Sequence, residues 1–207
     1  RVLAVRGLGI EGEDAIGVVG GIDFLRKAAR NEQQKVGARV AIVGGGNTAM
    51  DACRTAVRLG AEKVYNVYRR TVDEMPADRV EIEEAQEEGV IFKNLTNPLK
   101  ICKNADGAVD KMILQVMELG EPDASGRRRP VEIPGSEFTL ELDTVIMALG
   151  TSPNPLISST TEGLETNKRK CIVAPRRSAV LAASIATLPP PTTATFLLSM
   201  IGVAESA

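Results

Sequence analysis

Three consecutive glycines, Gly44, Gly45 and Gly46, follow the apolar run Val40 to Val43 and precede a stretch with helical spacing. From Ala49 the apolar residues fall at 49, 50, 53, 56 and 57, while Asp51, Arg54, Thr55 and Arg58 fall on the other side. Gly60 then stands where a helix takes its C′ residue, and Val64 to Tyr68 reads as a second strand. A short continuous apolar run beside a glycine turn suits a central parallel strand, buried on both faces. Strand, glycine turn, helix, strand is half of a nucleotide-binding βαβ unit, and it restricts the chain to the α/β class.

The chemistry of the turn follows from its residues. A phosphate needs backbone N–H donors at close range. Gly44 permits a tight turn, Gly46 lets the backbone approach a pyrophosphate, and Ala49 allows close packing of helix on strand. Asn47 or Thr48 lies where the helix begins, so its free N–H groups and positive dipole end face an anion. The pattern is GxGxxA, and its context of strand, helix and strand gives it weight. The second strand ends at Arg69-Arg70, with no acidic residue until Asp73. A carboxylate there would hold a ribose 2′-hydroxyl. A guanidinium instead binds a 2′-phosphate through parallel hydrogen bonds. The expected nucleotide is therefore NADP(H) in place of NAD(H). The bland alternative for the arginine pair is a solvated strand end or an ion pair with Glu74.

The remaining elements are read in order. Residues 1–20 are glycine-rich and read as a loop, and Ile22 to Ala29 as a helix with Ile22, Leu25, Ala28 and Ala29 on one face. Residues 30–35 read as a linker. Pro76 suits the first turn of a further helix. The acidic run Ala77 to Glu88 reads as that helix, with a solvated acidic face, apolar positions Val80, Ile82 and Ala85, and Gly89 as its end. From Val90 the period changes. Strands at Val90 to Phe92, Pro98 to Ile101, Val109 to Leu119 and Phe138 to Leu142 suggest a β-meander, with turns at Asn97-Pro98, at Asp106-Gly107 and over Gly120 to Arg129. Thr144 to Leu149 reads as a buried strand returning to the core and ending at Gly150. Cys53 reads as a small core residue, and Asp51 and Arg54 as a surface pair or cap.

Composition narrows the function classes. The 207 residues carry a net charge of −2, which gives no strong field toward nucleic acid or a membrane. Three separated cysteines form neither a disulfide framework nor a CxxC motif and suit a cytoplasmic location. Histidine is absent, so this chain holds no His-based acid–base, nucleophilic or metal mechanism. No protein metal site and no catalytic side chain is expected. The chemistry would reside in a cofactor, and a hydride from a nicotinamide needs an acceptor such as a flavin.

The string Val43 to Asp51, with Arg54, Arg58 to Ala61, Tyr68 to Thr71, Glu74 to Ala77 and Glu87 to Val90, resembles the glutamate synthase small (beta) subunit family. The ferredoxin:NADP oxidoreductase large subunit and the electron-input module of dihydropyrimidine dehydrogenase share the pattern. Glu118 to Pro130 and Asp143 to Pro155 extend it, so that the likeness covers roughly residues 7–174. The resemblance implies a Rossmann-like NADP-binding domain, with parallel sheet and β-meander, inserted in an FAD-binding domain of the pyridine nucleotide–disulfide reductase type. The expected boundaries are 1–35 for the end of the first FAD segment and linker, 36–148 for the NADP domain, 149–174 for the start of the second FAD segment and 175–207 for an aberrant or divergent tail. It further implies electrons passing from NADPH to FAD, then through iron–sulfur clusters to a partner: the large glutamate synthase subunit or another electron-accepting subunit. By position Gly45, Gly46, Asn47 and Thr48 would contact the pyrophosphate, and Arg69 and Arg70 the 2′-phosphate. Ala148, Leu149 and Gly150 would lie near nicotinamide and flavin.

Departures from the family pattern shape two further expectations. The chain starts at Arg1 without the family's first FAD fingerprint or its iron–sulfur cysteines, and it reads as a fragment that by itself binds little FAD. After Val173 the family's Gly-Gly-Asp segment is replaced by a stretch that carries no charge from Ser178 to Ala204 and includes Pro189-Pro190-Pro191. A frameshift after about Ala174 and a divergent extension are the two readings of this tail. Two readings of function differ in class from the enzyme subunit: a non-catalytic NADP-binding module and a non-functional fragment. Among enzymes, a bifurcating ferredoxin:NADP oxidoreductase subunit is the alternative to glutamate synthase.

Overall fold

The structure is a computed structural model that describes residues 3–5, 7–32, 36–123, 126, 128–153, 155–168 and 171–173. The tail read above as frameshifted or divergent lies outside the described residues. Residues 1–154 and 155–207 form two compact units.

The first unit has three layers. Its middle is a five-stranded sheet, every neighbouring pair parallel, in the order β2 (Val18–Gly20), β9 (Thr144–Met147), β3 (Arg39–Val43), β4 (Lys63–Val67) and β5 (Ile91–Lys93). Helices α1 (Gly21–Ala29), α2 (Asn47–Arg58) and α3 (Arg79–Glu87) contribute to the core on one face. An antiparallel sheet of β6 (Thr96–Lys103), β7 (Val109–Pro122) and β8 (Arg128–Glu141) packs on the other. The pleat divides each central strand between the two cores. Val40 and Ile42 join the helix-side cluster with Met50, Cys53 and Ala56. Ala41 and Val43 join Ile101, Met112 and Leu114 on the other side. This is why β3 reads as an unbroken apolar run. A small antiparallel pair, β1 (Leu3–Val5) with β10 (Thr151–Pro153), completes the unit. In the second unit a short helix, α4 (Pro155–Thr160), precedes a bridge between Thr166 and Ile172.

Helices α2 and α3 both end in Schellman motifs. Gly60 N–H donates to Val57 O and Ala61 N–H to Ala56 O, at 2.9 and 3.2 Å, and Gly89 and Val90 repeat the pattern at 3.0 Å each. Cys53 is fully buried, as its place on the apolar face of α2 suggests.

Several sequence expectations are corrected. The glycine-rich start contains strand β2, whose two valines are too short a run to show a period. On α1 the buried residues are Gly21 and Phe24, while Ile22 is exposed. Pro76 is not in a helix: Asp78 is the N-cap of α3, and Val72–Glu74 forms a separate 3₁₀ turn with a Thr71–Glu74 capping box. Val80 is exposed. Strand β5 belongs to the parallel sheet and not to the meander. Asn97-Pro98 lies inside β6, an edge strand where a missing N–H is tolerated, next to a register shift between Pro98 and Lys100. The long β7–β8 hairpin narrows the turn read over Gly120 to Arg129, and Arg128 donates to the Leu119 and Gly120 carbonyls across it.

The acidic face of α3 is not merely solvated, and Arg54 does not pair with Asp51. Arg54 bridges to Glu81 at 3.1 Å, to Glu88 at 2.8 Å and to Glu84, and Arg58 reaches Glu88 at 2.6 Å. These contacts tie α2 to α3. Hydrogen bonds from Arg58 and then Arg54 hold the Glu88 carboxyl below its ordinary value of 4.5. A lowered carboxylate pKa contributes stability that is full above the unfolded value and lost as pH falls through the folded one. The Arg54→Met variant is expected to unfold at lower urea than wild type at pH 7, and the two midpoints to converge as the pH drops below 4.5, followed by circular dichroism.

Candidate functional site

A cleft of about 490 Å³ opens at the carboxyl ends of β3, β4 and β9. It lies where the chain order of the sheet reverses: β3 has β4 on one side and β9 on the other. Ligands of open α/β sheets bind at such a point. The wall is formed by the glycine turn after β3, Tyr68 to Arg70 after β4, Pro76, Thr96 to Pro98 at the start of β6, and Ala148 to Gly150 after β9.

The glycine turn is shaped by close contacts. Gly44 has φ +147°, and a Cβ there would stand 2.3 Å from the Ala148 carbonyl oxygen. A Cβ on Gly45 would stand 2.5 Å from the Tyr68 ring. Gly46 differs: it is the N-cap of α2 with φ −98° and ψ 175°, a conformation open to any residue, and a Cβ would meet nothing nearer than Pro76 at 4.0 Å. No side chain caps α2. The N–H groups of Gly45, Gly46, Asn47 and Thr48 have no acceptor among the described residues, and the first helical bond runs from Ala49 N–H to Gly46 O at 2.8 Å. Four free donors, a helix N-terminus and room for a ligand in place of a Cβ make an anion cradle.

The two arginines differ sharply. Arg69 is exposed. Arg70 is only 8% exposed, its Nε has no hydrogen-bond partner, and no carboxylate lies within ion-pair distance among the described residues. Nearby acids are engaged elsewhere: Glu74 accepts from Thr71, and Asp73 pairs with Arg79 at 2.9 Å. A buried cation without a partner is costly and calls for an anion. Main-chain bonds fix its place, with Leu95 N–H donating to Arg70 O and Thr96 N–H to Tyr68 O at 2.9 and 3.0 Å.

Of the residues singled out from sequence, Gly44, Gly45, Gly46, Thr48, Arg69, Arg70, Ala148, Leu149 and Gly150 meet around this one cleft. Asn47 and Ala49 do not line it. Ala49 is fully buried between helix and sheet, and both amide atoms of Asn47 are engaged by Asp78, at 2.9 and 2.8 Å. Asn47 therefore has its backbone N–H, not its side chain, to offer an anion. Sequence reasoning missed Tyr68, Pro76, Thr96, Asn97 and Pro98. Thr96 to Pro98 reach the cleft only because the antiparallel sheet folds against the parallel one, and no local period carries that.

Fold and cleft together define a dinucleotide-binding α/β domain. The pyridine nucleotide-disulphide oxidoreductase family matches residues 4–185, and the chain belongs to that family. NADP(H) and FAD are the cofactors of this fold. The chain is 45% identical over 169 residues to the NADPH-Fe(3+) oxidoreductase subunit beta of Geobacter sulfurreducens, covering 80% of this chain and 25% of the relative. It is 40% identical over 184 residues to the glutamate synthase (NADPH) small chain of Escherichia coli, covering 82% and 38%. The NADP(+)-dependent formate dehydrogenase subunit beta of Moorella thermoacetica is 45% identical over 146 residues, with 69% and 20% covered. The chain thus spans a fifth to two fifths of these curated relatives. Among solved structures, Mycobacterium tuberculosis FprA in complex with NADPH shares the fold with a TM-score of 0.62 at 20% identity, covering 80% of this chain and 51% of that one. The thioredoxin reductase of T. acidophilum shares it with a TM-score of 0.59 at 15% identity, over 84% and 50%. No helix among the described residues is long and apolar enough to cross a membrane.

The glycines separate by what constrains them. Gly44→Ala is expected to destabilise the fold by about 3 kcal/mol through strain and overlap. Gly46→Ala is expected to stay within about 1 kcal/mol of wild type. Urea unfolding of the two variants checks both.

Proposed function

We propose that this chain is the NADP-binding part of an electron-input subunit that oxidises NADPH. The observation that carries this reading is the buried Arg70, its Nε without a partner and no carboxylate paired with it among the described residues, in the same cleft as the uncapped N-terminus of α2. Two anion sites on one cleft suit a nucleotide with a pyrophosphate and a separate phosphate. Gly45, Gly46, Asn47 and Thr48 would hold the pyrophosphate through backbone N–H groups. Arg70 would take the 2′-phosphate inside the wall, with Arg69 closing on it from solvent. Ala148, Leu149 and Gly150, after β9, would flank the nicotinamide end. FAD, when bound, supplies the acceptor for the nicotinamide hydride and a route for single electrons to iron–sulfur clusters.

In this reading residues 36–148 form the bulk of the NADP domain, β2 and α1 belong with it because they share its sheet and core, and the rest of 1–35 and 149–174 belong to the flavin domain around it. The relatives' names as beta subunits and small chains support a partner subunit that accepts the electrons. A glutamate synthase large subunit, which makes glutamate from glutamine and 2-oxoglutarate, is the partner we favour. The higher identity to the Fe(3+) and formate enzymes supports a second reading, in which the same input module serves another acceptor. Three free cysteines, far apart in the chain, support a cytoplasmic setting.

Substitution of Arg70 by Gln is expected to weaken NADPH binding roughly 10- to 100-fold and to leave NADH binding unchanged. Fluorescence titration with both nucleotides checks it, and an equal loss for both would remove the 2′-phosphate from this site.

A further inference from the structure

Strand β4 carries one residue out of keeping with its setting. Asn66 is fully buried on the α2 side of β4, the side on which Val64 joins the apolar core. Its Oδ1 has no hydrogen-bond partner among the described residues, so the amide is held there at a cost that an apolar residue would avoid. Its Nδ2 donates to the Gly44 carbonyl oxygen at 2.9 Å. The Asn66 side chain also lies against the Cys53 thiol and draws its pKa down, but burial outweighs this and keeps the thiol neutral.

That one bond sets the direction of a peptide. Across a trans peptide the C=O and the following N–H point opposite ways. With the Gly44 carbonyl turned inward onto Asn66, the Gly45 N–H turns away from the core, and it has no acceptor among the described residues. The next peptide is fixed likewise, by Ala77 N–H donating to the Gly45 carbonyl at 3.1 Å. A flexible run of glycines would otherwise sample both orientations of each peptide.

We propose that Asn66 is a positioning residue for the dinucleotide: by pinning the Gly44 carbonyl it aims the Gly45 N–H at the pyrophosphate. The proposal rests on the NADP reading above. It assigns Asn66 to the pyrophosphate half of the site, apart from Arg70, so its loss acts on NADPH and NADH alike and spares a ligand that has only a 2′-phosphate.

The test uses the full chain and three probes: NADP+, NAD+ and adenosine 2′-monophosphate, which lacks the pyrophosphate. Asn66→Leu is expected to weaken both dinucleotides roughly tenfold by the same factor, with the affinity for adenosine 2′-monophosphate unchanged. Unchanged dinucleotide affinity overturns the proposal, and so does an equal loss for all three probes, which marks a general lesion. A wild-type chain that binds none of the three overturns the NADP reading itself. Should the variant fail to fold, the wild type still decides. On titration with NADP+, the Gly45 amide resonance is expected to shift strongly and the Gly44 amide, which donates to Val67 O, little; a stationary Gly45 amide overturns the assignment.

Discussion

The site depends on central strands that are covered on both faces. Strands β3 and β9 are hydrogen-bonded to neighbours along both edges and lie between a helix layer and an antiparallel sheet. Apart from Arg39 their residues are buried, so their carboxyl ends are fixed points. From those ends leave the glycine turn on one side and Ala148 to Gly150 on the other, and their separation makes the cleft. The close approach of Gly44 to Ala148 is the measure of this: two turns from adjacent strands touch, backbone to backbone. A side chain between them would push the strand ends apart.

A second layer of constraint comes from the segment after β4. Tyr68 lies beneath Gly45 and donates its hydroxyl to Glu74 O at 2.9 Å, and Ala77 and Asp78 return to the glycine turn through Gly45 and Asn47. The turn is therefore gripped on every side except the one facing the cleft. Its donors are fixed before any ligand arrives, and little ordering is left to be done on binding. Arg70 is prepared in the same sense: it is buried, its backbone is held by Leu95, and it shares the cleft wall with Thr96 to Pro98.

The βαβ core was legible because its signals are local. Helical spacing from Ala49 to Val57, glycine at 60 and an apolar run at 40–43 each report on a few neighbouring residues. What was not legible depends on partners far along the chain. Strand β2 is a strand because β9, more than a hundred residues later, lies beside it. Ile91 to Lys93 reads like the meander that follows, and only pairing with β4 places it in the parallel sheet. Arg54 looks like a mate for Asp51 on its own helix, yet three glutamates of the α3 segment surround it. In the site, the arginine pair stood out by its charge, but nothing local says that one member is buried and the other not. Asn66 did carry a signal, a lone amide between Tyr65 and Val67 in a strand bound for the core.

The pairing of β2 with β9, and of β1 with β10 beyond them, has a further consequence. The chain arrives at and departs from the intervening hundred-odd residues through strands that lie side by side. The segment from β2 to β9 closes on itself, with its own sheet, helices and second sheet. Such a segment hangs from its host by a single narrow stem. Evolution, or an engineer, can transplant it whole between larger chains by matching one spot on the recipient's surface. The shared piece then stays the same while the machinery around it is exchanged.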